Sequence, residues 1–92
     1  MEEFSAKDVA AFMLEHLEKT HSVYQSDIVL LVHERFGDKF VYINENGSYV
    51  FIPSVLTAFK KLAGDKVVWC RLSKYWRLRM STDDPTVRFS NE

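Results

Sequence analysis

The chain has 92 residues, 47% of them hydrophobic and 14% aromatic, with a formal net charge of −1. That length and apolar content predict one domain with a filled core; they exclude a disordered chain and two independent cores. The single cysteine, Cys70, excludes an internal disulfide framework. The start, Met1-Glu2-Glu3-Phe4, is acidic and lacks the pattern of a signal peptide, and no apolar run approaches the roughly 20 residues of a membrane span. The expected location is the cytoplasm.

A first helix is expected over residues 6–19. Ser5 is its N-cap, with Asp8 three residues on in capping-box position, where Glu or Gln is usual. Phe4 and Val9 fit a hydrophobic staple across that cap. Val9, Met13 and Leu17 share one face, widened by Ala6, Ala10 and Leu14. After Thr20-His21-Ser22, a second helix begins either behind a Ser22/Gln25 capping box or later, near Ser26. A short strand over residues 22–24 is the alternative use of that link. Ile28, Leu31, Val32 and Phe36 recur at helical spacing, and Gly37 is the residue expected just past the helix end, where a positive φ is needed.

Phe40-Val41-Tyr42-Ile43 and Tyr49-Val50-Phe51-Ile52 flank the turn signal Asn46-Gly47, which reads as a short hairpin or an extended, turn-rich segment. Both faces are apolar or aromatic, so periodicity assigns no outward side. The piece is either buried twice or meets a partner. Pro53 opens a third helix, with Ser54 as a rival N-cap; Val55, Leu56, Phe59 and Leu62 form its stripe. Lys60 and Lys61 suit the dipole of its last turn, and Gly64 ends it.

Residues 66–72 and 75–80 read as a second hairpin around Ser73-Lys74. A two-residue loop pairs Leu72 with Tyr75 and Cys70 with Arg77. One face then carries Val67, Trp69, Arg71, Trp76, Leu78 and Met80, and should pack on the helices. The other carries Val68, Cys70, Leu72, Tyr75, Arg77 and Arg79. Ser-Lys is not a favoured turn pair, so a longer loop of the same parity serves equally. Residues 1–80 are thus expected to form the domain, and residues 81–92 a polar tail at its surface.

The near-neutral average hides a polarised chain. Residues 60–80 carry seven Lys and Arg against Asp65 alone, a net of +6, while residues 1–59 carry −5 and residues 81–92 carry −2. A basic segment spanning the end of one helix and a following hairpin suits a phosphate backbone. The plainer alternative is a solvated basic face.

Two short helices, a third after a linker, and then a basic hairpin resemble a winged helix-turn-helix. The stretches FVYINENGSYVFI, VLTAFKKL and VVWCRLSKYWRLR also look like a group of small bacterial proteins of unknown function, some carried on mobile gene cassettes. The resemblance covers roughly residues 6–80. It implies an α+β, winged-helix-like fold of three helices, a C-terminal β-hairpin as the wing, and a short strand or hairpin between helices 2 and 3. The third helix would be the recognition helix. It exposes Thr57, Lys60 and Lys61 and none of the Arg, Asn or Gln residues that read base edges, so backbone contacts would dominate.

Catalytic chemistry does not assemble from the sequence. His16, His21 and His33 fall on different faces, with no carboxylate or cysteine completing a metal-ligand set, and read as surface or partly buried residues. Cys70 reads as a small apolar strand residue, and Trp69 and Trp76 as core anchors rather than base-stacking platforms. Asp83-Asp84 has no scaffold to hold a metal. No enzymatic activity, cofactor, metal or membrane partner is expected. Two roles remain. The first is a small DNA-associated protein, homodimeric, with Lys60, Lys61, Arg71, Lys74, Arg77 and Arg79 as phosphate contacts on duplex DNA. The second is a module for homodimer or partner binding through residues 40–51, chiefly Tyr42, Tyr49 and Phe51.

Overall fold

The computed structural model describes residues 4–80 and 89–90. Helix α1 spans Ala6–Thr20. Its N-terminus is closed by the expected reciprocal cap: the Ser5 backbone N–H donates to Asp8 Oδ2 at 2.7 Å, and the Asp8 N–H donates to Ser5 Oγ at 3.4 Å. This satisfies two of the backbone donors a helix leaves unpaired. Phe4, just before the cap, sets its ring edge-on to Phe36, with centroids 4.8 Å apart. The helix ends at His21, which takes a left-handed conformation (φ 70°) and donates its N–H to the Leu17 carbonyl.

Strand β1 (Ser22–Tyr24) follows at once, and α2 occupies Gln25–Phe36. The Ser22/Gln25 capping box does not form. Ser22 is spent on the sheet, opposite Arg77, and Tyr24 stands at the N-cap with no side-chain cap. Gly37 takes φ 84°, the positive value anticipated past a helix end. A 3-10 turn, Asp38–Phe40, leads into β2 (Val41–Ile43) and β3 (Tyr49–Phe51), which pair antiparallel as a separate two-stranded sheet. Their loop is Glu45-Asn46-Gly47 rather than a two-residue Asn-Gly turn. Asn44 N–H donates to Ser48 O at 2.8 Å, Gly47 donates back to Asn44 O, and Gly47 holds φ 79°. The Asn44 side-chain oxygen adds acceptance from the N–H groups of Asn46 and Ser48, both at 3.0 Å. A three-residue loop with glycine in the left-handed position is the next most favourable way to close a hairpin.

Helix α3 (Pro53–Ala63) starts on Pro53 behind Ile52, and Ser54 lies inside it. A 3-10 turn, Gly64–Lys66, hands the chain to β4 (Val67–Cys70) and β5 (Tyr75–Leu78). These pair antiparallel, with Trp69 opposite Trp76 and Cys70 opposite Tyr75. The turn is therefore residues 71–74 instead of Ser73-Lys74 alone, and Arg77 faces Val68 instead of Cys70. Lys74 supplies the positive φ (54°) that closes this longer turn, and its carbonyl accepts the Gln25 N–H at 3.0 Å. The shift is by two residues in total, so each side chain stays on its anticipated face. Strand β1 pairs with β5, and Phe89–Ser90 form β6, parallel to β4, so the sheet order is β1-β5-β4-β6. Two residues of the segment read as a tail thus belong to the sheet edge. Its remaining residues, Asp83-Asp84 among them, lie outside the described ones.

The fold is α+β: three helices, a mixed four-stranded sheet and a small two-stranded sheet. Helix α1 lies against α3. The core takes Val9, Met13 and Leu17 from α1, Ile28, Val29 and Val32 from α2, and Val55, Phe59 and Ala63 from α3. Trp76 closes it from the sheet, with its ring 5.3 Å from Phe59, 6.2 Å from Phe51 and 4.7 Å from Trp69. Such aromatic contacts add to plain area burial. The opposite face of the hairpin is also covered: Val68, Cys70 and Arg77 are buried, outside the main cluster. No helix among the described residues is long and apolar enough to cross a membrane.

Candidate nucleic-acid interface

Helix α3 buries Val55, Phe59 and Ala63, spaced four apart, and so turns Thr57, Lys60 and Lys61 to solvent. The 71–74 turn carries the second exposed pair, Arg71 and Lys74. Arg71 is exposed, and its guanidinium carbon lies 5.1 Å from the Phe89 ring centroid in a cation–π arrangement.

An open cavity of about 410 Å³ runs between α3 and the β4–β5 hairpin. Leu56, Phe59 and Lys60 form its helical wall, Trp69 and Trp76 its sheet wall, and Gln25 stands at one end. None of the described residues that line it is acidic. The Gln25 backbone N–H donates to the Lys74 carbonyl at 3.0 Å, which ties the start of α2 to the hairpin turn. Lys60 lines the cavity, and Lys61, Arg71 and Lys74 are exposed on α3 and the hairpin turn outside its lining.

The other two expected phosphate contacts sit differently. Arg77 is only 9% exposed, and its Nη1 donates to the Leu78 carbonyl at 3.3 Å. Arg79 is half-buried, and its Nε donates to the Asp65 carbonyl. Both guanidiniums are engaged within the protein rather than presented to solvent.

On the small sheet, Tyr42 and Tyr49 are exposed, whereas Phe51 is 2% exposed and belongs to the core. Phe51 therefore cannot meet a partner. Strand alternation explains the division: Val41 and Phe51 face each other inward, and Tyr42 points the other way. Tyr49 shares the inward parity but lies nearer the tip, where His33 stacks on it at 5.1 Å. Among the described residues there is no cluster of three His, Cys, Asp or Glu and no buried polar side-chain atom without a partner. Cys70 is fully buried, as a small strand residue.

Sequence reasoning found the cations but not the groove. Gln25 was visible only as a capping residue, and no local pattern ties position 25 to positions 56–60 and 69–76. Hairpin parity puts Trp69 and Trp76 on one face, but the two-residue loop pairs Trp69 with Leu78, and the longer turn sets the two indoles opposite each other.

The architecture defines a small three-helix α+β protein with a C-terminal basic hairpin. Over residues 5–78, which take in every element from α1 to β5, the chain matches a family of unknown function (DUF6953), and it belongs to that family. The match carries the family alone and not a winged-helix kinship, a bacterial source or carriage on gene cassettes. No curated protein and no solved structure gives a match.

Proposed function

We propose that this protein is a winged-helix-like, DNA-associated factor that grips the phosphate backbone of duplex DNA through Lys60 and Lys61 on α3 and Arg71 and Lys74 in the hairpin turn. The observation that supports it is the exposure of these four cations on α3 and the hairpin turn, with Lys60 in the wall of the cavity and no carboxylate among the described residues that line it. Arg77 and Arg79 would hold the hairpin in shape rather than touch DNA. Phosphate contacts of this kind position a protein without reading sequence.

The test is binding of a labelled mixed-sequence duplex as a function of salt. Four neutralised phosphates give a slope of log K against log salt of about −3.6, hence roughly a 150-fold loss of affinity between about 50 and 200 mM salt. The double change Lys60→Gln with Lys61→Gln should bring the slope to about −1.8. Absence of binding at the lower salt, or a slope the double variant leaves unchanged, rejects the proposal.

A second reading, self-association or binding of another protein through the β2–β3 face, draws on one observation. Tyr42 is 48% exposed on the side of β2 turned away from Phe51. Sedimentation showing a dimer that Tyr42→Ser dissociates would favour it; a monomer unaffected by that change would remove the homodimer.

A further inference from the structure

The groove beside α3 has a chemistry of its own that phosphate gripping does not use. Its walls are apolar and aromatic: Leu56 and Phe59 on the helix side, the two indoles of Trp69 and Trp76 on the other. At about 410 Å³ it falls within the size range of small-molecule sites, which are mostly apolar with a few polar groups that fix orientation. Here the polar residues are Gln25 and Lys60, the latter the one charged residue among the described ones that line it. Among the described residues Lys60 has no carboxylate partner; the ion pair present is Lys19 with Glu15, on α1.

A duplex backbone would use the ammonium but leave the aromatic walls in water. An apolar ligand without charge would use the walls but not the cation. The ligand that uses both has a flat apolar body and one anionic end. We propose that the groove is a binding site for a small aromatic carboxylate, its ring lying over the floor that the touching Phe59 and Trp76 rings make, flanked by Leu56 and Trp69, its carboxylate accepting from Lys60 Nζ. The assignment does not rest on DNA binding, although Lys60 serves both, and its test contains no nucleic acid.

Trp69 and Trp76 are the two tryptophans of the chain, so intrinsic fluorescence reports on the site directly. The intact chain is titrated with 2-naphthoate and, in parallel, with the uncharged 2-naphthamide, and calorimetry gives the stoichiometry. Saturable one-to-one binding is expected for 2-naphthoate, about ten-fold tighter than for the amide, since a hydrogen bond to a charged group outweighs a neutral one. Lys60→Gln should erase that difference while leaving the amide's affinity unchanged. Leu56→Gln, at a position 39% exposed and so tolerant of change, should weaken both ligands. No saturable binding of 2-naphthoate overturns the site. Equal affinity for acid and amide in the unaltered protein, or acid binding indifferent to Lys60→Gln, overturns the anion assignment. Binding indifferent to Leu56→Gln places the ligand elsewhere and overturns the groove.

Discussion

Replacing Phe51 and Tyr42 by alanine, one at a time, measures which face of the β2–β3 hairpin holds the fold together. Both are aromatic residues in three-residue strands, nine positions apart, and composition does not distinguish them. The structure does. Phe51 is 2% exposed and meets Trp76 at 6.2 Å between ring centroids, whereas Tyr42 is 48% exposed. Removing a buried phenyl ring loses its transfer free energy and leaves a cavity the neighbours only partly fill, about 3–5 kcal/mol together. A domain of this size loses about 4–8 °C of melting temperature per kcal/mol, so Phe51→Ala should depress Tm by at least 12 °C or so, or prevent folding. Phe51→Leu, which keeps most of the volume, should cost about 1–2 kcal/mol and keeps the measurement accessible. Tyr42→Ala removes a ring already half in water and should cost under about 1 kcal/mol. The assay is urea unfolding followed by circular dichroism, with the three variants on one axis. Equal costs for Phe51→Leu and Tyr42→Ala, or a larger cost at Tyr42, would refute the inward placement of Phe51 and the strand register with it.

Two further predictions concern the ends of α1. Ser5→Ala removes the oxygen that accepts the Asp8 N–H, and should lower stability by about 0.5–2 kcal/mol in the same urea assay. No change would mean that the reciprocal cap contributes nothing in solution. At the other end, His21 holds φ 70°, a conformation that penalises any residue with a Cβ. His21→Gly should leave stability unchanged or raise it by up to about 1 kcal/mol, because relief of that penalty outweighs the greater freedom glycine has when unfolded. A loss of more than about 1 kcal/mol would show that the imidazole itself stabilises the helix end.

Much of this protein is determined locally, and local determinants are legible in order along the chain. Ser5 and Asp8 announce α1 because a cap is a contact between residues three apart. Gly37 and Pro53 bound their helices because positive φ and the missing N–H are properties of single residues. Hairpin parity alone puts Trp69 and Trp76 on one face, and it survived a turn two residues longer than the shortest, since a shift by two preserves sides. The concentration of cations in residues 60–80 is likewise a fact of sequence. Only the tertiary structure decided how those features are used. Ser22 reads either as a capping residue or as the start of a short strand, and it pairs in the sheet because β5 lies alongside to receive it. Arg77 reads as an exposed phosphate ligand and is buried, because the hairpin is covered on both faces. Tyr42 and Phe51 look alike and part company when the small sheet docks on α2 and the core. The groove that joins Gln25, Lys60 and the two tryptophans spans most of the chain. Contacts between residues that distant depend on how elements pack, and packing leaves no periodic trace in any one of them.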